Sequence, residues 1–211
     1  MASEAAILHL LSALRRDFAQ RGLIADEAGA EALCISALLD ELPLLSLPSS
    51  LGIFTRNQHP ATRHLDDALV AAGGPTVELL TAIRPVAHDL PWRYSYERRE
   101  DAPSLGEKIA YAEIVGPDAP YRSAIFCLGL TLIAPESLYP LHRHPAVELY
   151  YVLSGTATWS LNHRDRDLPP GEFVLHPSLA AHAMRTRREP LLAVYTWSGG
   201  DIHTPSVYVE L

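Results

Sequence analysis

Two cysteines and one lysine, Lys108, in 211 residues set the first limits. Cys34, in a helical stretch, and Cys127, in an apolar strand, are too few for a disulfide framework. They read as two small buried hydrophobes in a reducing compartment. The scarcity of lysine accompanies a formal net charge of −8. With no basic block, the electrostatic footprint of a nucleic-acid binder is missing. Long hydrophobic runs are missing too. The opening MASEAAILHLLSALRRDFAQ has Glu4 early and its arginines only after the apolar run. That order is wrong for a secretory signal, and the run is too short to span a membrane. A cytoplasmic protein with no membrane or nucleic-acid partner is expected. Internal repeats and low-complexity tracts are absent as well.

What remains is ordinary for a globular chain: 48% apolar residues and 20% charged, enough for a real core. Residues 3–20 carry a helical stripe opened by Ser3 and ended by Gly22, and a second helix is expected over 26–42, stopped by Pro43. Shorter helices are expected over 64–72 and 75–83, with Pro75 at a helix start. Alternation then takes over. Strands are expected at 92–96, 109–115, 124–133, 147–153, 156–161, 173–176, 182–186, 191–197 and 207–209. About nine short strands with Pro/Gly turns imply a mainly β fold, an antiparallel barrel or jelly roll. The chain divides near residue 90 into a helical N-terminal extension (1–90) packing on a β-barrel (91–211). The Pro- and Ser-rich stretch 43–60 and the segment 92–101 are candidate lids.

Chemistry concentrates in YPLHRHPAVELYYVLSGTATW, residues 139–159. His142, His144, Glu148 and Gly155 are spaced H-x-H-x3-E-x6-G. Alternation puts both histidines on one face of an extended segment, and Glu148, Tyr150 and Val152 on one face of the next strand. Two imidazoles and a carboxylate suit one divalent transition metal, Zn, Fe, Mn, Co or Ni. Further on, Gly171, Pro177 and His182 supply another candidate ligand. His144, Glu148 and His182 form the expected set. His142 is a fourth ligand or a neighbour that hydrogen-bonds substrate. His176, His163 and His203 read as rim residues. Tyr150 shares the face of Glu148 and is a wall residue or, beside a cation that lowers its pKa, a base. Tyr139 is placed at the cavity mouth.

The two stretches resemble the paired motifs of the cupin family, G-x5-H-x-H-x3,4-E-x6-G and G-x5-P-x-G-x2-H-x3-N. Glu136 stands where the first motif opens with Gly; Leu179 and Thr186 replace the Gly and Asn of the second. These departures touch turns rather than ligands. The resemblance implies a cupin double-stranded β-helix, a jelly-roll barrel. Together with DLPWRYSYERREDAPSLGEKIAYAEIVGPDAPYRS upstream and AHAMRT and LLAVYTW downstream, the central stretch looks like the cupin-type dimethylsulfoniopropionate lyases of the DddQ group. The likeness runs from about residue 89 to the C-terminus.

That resemblance implies metal ligands at His144, Glu148 and His182, a base at Tyr150, and substrate-cavity residues at Tyr139, His142 and Trp197. It implies a carbon–sulfur lyase that splits a small zwitterion into dimethyl sulfide and acrylate by removing the proton alpha to the carboxylate. Candidate rings for the sulfonium are Tyr139, Trp197, Tyr195 and Trp159. An Fe(II) oxygenase acting on a small acid or thiol, a lyase for a related substrate, and a cupin that binds without turnover stand as alternatives. Pairing through one barrel sheet would give a homodimer.

Overall fold

The computed structural model describes residues 3–42, 59–70, 74–96, 100 and 102–209. Helix α1 (Glu4–Arg21) starts where the Ser3 hydroxyl accepts from the Ala6 amide, and Gly22 closes it. Its Ile7, Leu10, Leu11, Leu14 and Phe18 recur at helical spacing and are buried. Asp26 opens α2 (Glu27–Glu41) by accepting from the Gly29 amide, and its other oxygen pairs with Arg21 at 2.9 Å. Because α2 buries Ala32, Ile35 and Leu39, Cys34 points off the packed face and is exposed. This corrects the expectation of a buried thiol. The helix expected over 64–72 is a 3-10 turn, Pro60–His64, running into α3 (Leu65–Ala68). The next begins only at α4 (Val77–Ile83), because the Thr76 hydroxyl reaches away to the Leu153 carbonyl at 2.7 Å. Most of the first candidate lid, residues 43–58, and residues 97–99 and 101 of the second lie outside the described residues.

Two sheets follow. The six-stranded sheet has the order β2 (Tyr121–Arg122), β1 (Ile109–Gly116), β3 (Cys127–Ile133), β10 (Leu191–Ser198), β5 (Val147–Ser154), β8 (Phe173–His176). The five-stranded sheet runs β11 (Val207–Tyr208), β4 (Leu138–Arg143), β9 (His182–Thr186), β6 (Ala157–Leu161), β7 (Arg164–Leu168). Apart from β1 with β2, the pairs are antiparallel. This is the jelly-roll barrel of the cupin fold with a helical N-terminal region. A short helix, α5 (Leu105–Lys108), leads into β1.

The six-stranded sheet is covered on both sides. Leu128, Leu130, Leu132, Leu149, Tyr151 and Val194 share a core with α1, α2 and α4. Their neighbours Ile133, Tyr150, Val152, Ala193 and Tyr195 join Trp159 and Met184 between the sheets. Double coverage is why every residue of β3, CLGLTLI, is buried instead of every second one. Polar ties pin the helices down: Tyr151 Oη donates to Asp17 at 3.1 Å, and Ser198 Oγ to Glu31 at 2.5 Å.

Three expectations on strands change. Residues 92–96 form no strand beyond a single bridge from Arg93 to Tyr111; Trp92 is instead fully buried, its indole N–H donating to the Ala87 carbonyl at 2.7 Å. The strand expected from 124 starts at Cys127, because Ser123 Oγ accepts from the amides of Ile125 and Phe126 and holds a turn there. The expected strands also lack β2, β4 and β7; in β7, reading RDRDL, four charged, exposed residues blunt a sheet edge and give no apolar signal. The motif departures are accommodated in the turns. Glu136 and Leu179 adopt φ +51° and +62° where the motifs carry Gly, while Gly155 and Gly171 hold φ +75° and +97°. Thr186 Oγ1 accepts from the Ser137 amide and donates to the Ala134 carbonyl, binding the ends of β4 and β9 together.

Candidate metal centre and its cavity

The barrel floor is built by a fault in pairing. β4 meets β9 at Tyr139↔Met184 and next at His142↔His182, so three steps on one strand answer two on the other. The bulge turns Tyr139 and His142 inward together although they are three residues apart, and their rings stack at 4.1 Å. Strand alternation alone would have sent them to opposite faces. His144 follows just beyond β4. Glu148 comes from β5, where Tyr150 shares its face and Tyr151 points to the helices.

Each of three histidines has its Nδ1 set by a backbone carbonyl two residues away. Nδ1 of His142 lies 2.7 Å from Pro140 O, that of His144 3.0 Å from Ala146 O, and that of His182 2.9 Å from Ala180 O. A carbonyl only accepts, so Nδ1 carries the hydrogen and Nε2 of the neutral ring presents a lone pair. The Nε2 atoms of His144 and His182 face Glu148 Oε2 at 3.1 and 3.2 Å. Among the described residues, His144, Glu148 and His182 bring ligand atoms within 4.8 Å of one another, all buried. His182 Nε2 is close to the carboxylate but out of line with it, and is left without a hydrogen-bond partner. Lone pairs converging on a carboxylate around an orphaned buried nitrogen fit a divalent transition metal. His142 is not one of the three. It sits beside them, 4.1 Å from the His182 ring, and faces the cavity.

Protonated, His144 gives an Nε2 hydrogen to Glu148; deprotonated, the same nitrogen offers its lone pair to a cation. Burial pushes Glu148 up, but the charge of His144 and the hydrogen bonds from His144 and His176 outweigh it, holding the carboxyl well below the usual range. His144 is raised: burial works against its charged form, and Glu148 more than offsets that. Burial and then His182 hold His142 well below the usual imidazole range, and bring His176 to about 4. Burial and then Glu148 hold the Tyr150 phenol well above its ordinary value. It lines the cavity together with Thr131 and Glu148.

Above the floor opens a cavity of about 210 Å³. Tyr139, His142, Glu148, Tyr150, Tyr195 and Trp197 line it. Trp197 packs on His144 at 4.4 Å and its indole N–H donates to Glu148 Oε1 at 2.8 Å. Trp159 is not at the cavity wall; it is core, with its N–H on His176 Nε2 at 3.0 Å. His163 is exposed in a turn, and His203 is an exposed residue at the cavity. His176 is corrected: it is fully buried and its Nδ1 lies 2.9 Å from Glu148 Oε2, because β8 pairs it directly opposite Glu148. Sequence reading also missed Tyr96 and Tyr111 at the wall, where Tyr96 contacts Tyr94, Tyr111, Tyr139 and Tyr208. The alternation of aromatics in 92–96 was the available signal.

The profile of the family described as dimethylsulfoniopropionate lyase matches residues 46–193. The chain belongs to the dimethylsulfoniopropionate lyase family. A relative named dimethylsulfoniopropionate lyase DddQ, from Ruegeria pomeroyi, is 32% identical over 167 residues, 79% of this chain and 74% of that protein. Another, the putative dimethylsulfoniopropionate lyase DddL of Cereibacter sphaeroides, is 34% identical over 143 residues; the match spans 67% of this chain and 60% of the relative. A chain from the crystal structures of the DMSP lyases RdDddP and RnDddQII superposes with a TM-score of 0.74 at 25% identity, covering 98% of both chains. The lyase fold therefore extends through the helical region as well as the barrel.

Proposed function

We propose that this member of the lyase family is a carbon–sulfur lyase that cleaves dimethylsulfoniopropionate to dimethyl sulfide and acrylate at a divalent transition-metal centre held by His144, Glu148 and His182. The observation that carries this reading is that Tyr150 and Glu148, a proposed ligand, share one face of β5 and line the same cavity, walled by aromatic rings.

When bound, a divalent cation supplies Lewis acidity toward the substrate carboxylate and positive charge that opposes the effect of Glu148 on the neighbouring phenol. His142 and Tyr139 form the wall beside the floor, stacked so that neither ring can swing freely, and they orient the carboxylate end. Tyr150, as phenolate, takes the proton alpha to the carboxylate. The C–H electron pair becomes the new C=C bond, the C–S bond breaks, and dimethyl sulfide leaves with its electron pair, neutral from a cation. The sulfonium is met by the faces of Tyr139, Tyr195 and Trp197, each cation–π contact worth about 0.5–2 kcal/mol. Thr131, on β3, lines the same cavity as Tyr150. The substrate is thus a small zwitterion. We place the protein in the cytoplasm; among the described residues no helix is long and apolar enough to cross a membrane.

Headspace detection of dimethyl sulfide tests the reading. Metal-loaded protein should release it, chelation should stop release, and re-addition of metal should restore it. Tyr150→Phe should lower kcat by about 10²–10⁴-fold while the metal content stays at the wild-type level. A phenylalanine variant that turns over at the wild-type rate would remove Tyr150 as base.

A further inference from the structure

β10, β5 and β8 place Trp197, Glu148 and His176 side by side in one row. Both oxygens of Glu148 are taken from outside the ligand set: Trp197 Nε1–H donates to Oε1 at 2.8 Å, and His176 Nδ1 lies 2.9 Å from Oε2. Behind His176, Trp159 Nε1–H reaches its Nε2 at 3.0 Å. An indole N–H can only donate, so His176 Nε2 accepts, and Nδ1 of the neutral ring keeps the hydrogen and gives it to the carboxylate. No lone pair of His176 is left for an ion. Its ring also stacks on that of His182, with centroids 3.8 Å apart and planes 24° off parallel. One fully buried side chain thus touches two of the three proposed ligands and ligates nothing itself.

We infer that His176 is a positioning residue of the metal centre: it fixes the rotation of the Glu148 carboxylate and the tilt of the His182 ring, and Trp159 fixes His176 in the tautomer that allows this. The inference rests on the metal-centre reading above. A residue that only filled space in the core would be replaceable by a side chain of similar bulk. A positioning residue needs its N–H.

Cobalt(II) binding separates the two roles, read as a dissociation constant by competition with a chelator and as the visible absorption of the bound ion. His176→Leu should weaken binding about 10–100-fold, the usual effect of removing a partner of a metal ligand, and should shift the absorption band. His176→Asn, whose amide N–H stands near the lost Nδ1–H, should recover most of the affinity and the band position. Trp159→Phe, which frees the tautomer but leaves the ring, should weaken binding by less than His176→Leu does. Wild-type affinity and an unshifted band in His176→Leu would overturn the inference, as would equal impairment of the leucine and asparagine variants. If His176→Leu does not fold, Trp159→Phe decides: no change in either readout overturns the assignment. A wild-type protein that takes up no cobalt, zinc, iron, manganese or nickel overturns both this inference and the metal centre beneath it.

Discussion

Leu179 sits at φ +62° with its side chain 56% exposed, and its amide donates to the His144 carbonyl at 2.8 Å. The turn that delivers His182 is therefore held in a left-handed conformation by a residue with a Cβ, which costs about 1–2 kcal/mol. Leu179→Gly should relieve that strain at the expense of a looser unfolded chain, a net gain of roughly 0.5–1 kcal/mol. Urea unfolding reads it; a lower midpoint in the glycine variant would contradict the strain argument. The same residue shows what could be read from the sequence and what could not. The convergence of His144, Glu148 and His182 was legible because metal-binding side-chain types recur at spacings set by strand and turn lengths. His176 was not, since its part depends on which residue β8 sets opposite Glu148. Tyr139 and His142 share a face only through the β4 bulge, a fault that no alternation rule foresees. Cys34 misled because an apolar-looking helix still has an outer side.

Among the elements, β5 and β10 were legible from their apolar runs, and α1 from its capped stripe. β7 was hidden by its charges, and 92–96 looked like a strand because Trp92, Tyr94 and Tyr96 alternate, although only Arg93 bridges another strand. The contact of α1 with β5 offers a pH test. Burial raises the pKa of Asp17, and the hydrogen bond from Tyr151 offsets part of that. A carboxyl with a raised folded pKa contributes stability that is present below its unfolded pKa and lost as pH rises through the folded value. At about pH 7 the charged form therefore costs stability, and at about pH 3 both states hold the proton. Asp17→Asn keeps an acceptor for Tyr151 without the charge. It should raise the melting temperature at about pH 7 and leave it unchanged at about pH 3; the reverse pattern would show that Asp17 is stabilised as the anion.

At the scale of the molecule, the jelly roll and its helical layer were both expected, and the lyase structures share them over nearly the whole chain. The pairing surface was not legible. The outer face of the six-stranded sheet is taken by helices, and the outward residues of β6 and β7 include Thr158, Ser160, Asp165 and Asp167. We propose that two copies of the chain pair through the exposed Leu23, Ile24 and Leu33 beside the turn between α1 and α2. Sedimentation velocity should then show twice the chain mass for the wild type and a single chain for Leu23→Asp. Wild-type protein sedimenting as a single chain would refute it.

The double coverage of the central sheet has a further consequence for β5. From Glu148 to Ser154 every side chain is buried, one set toward the reaction, the next toward the helices. A strand with a wet side offers every second position as harmless to change, and this one offers none. Substitutions that reach chemistry and substitutions that loosen the helical layer lie next to each other along the same strand, so neither kind of tuning can proceed without brushing against the other.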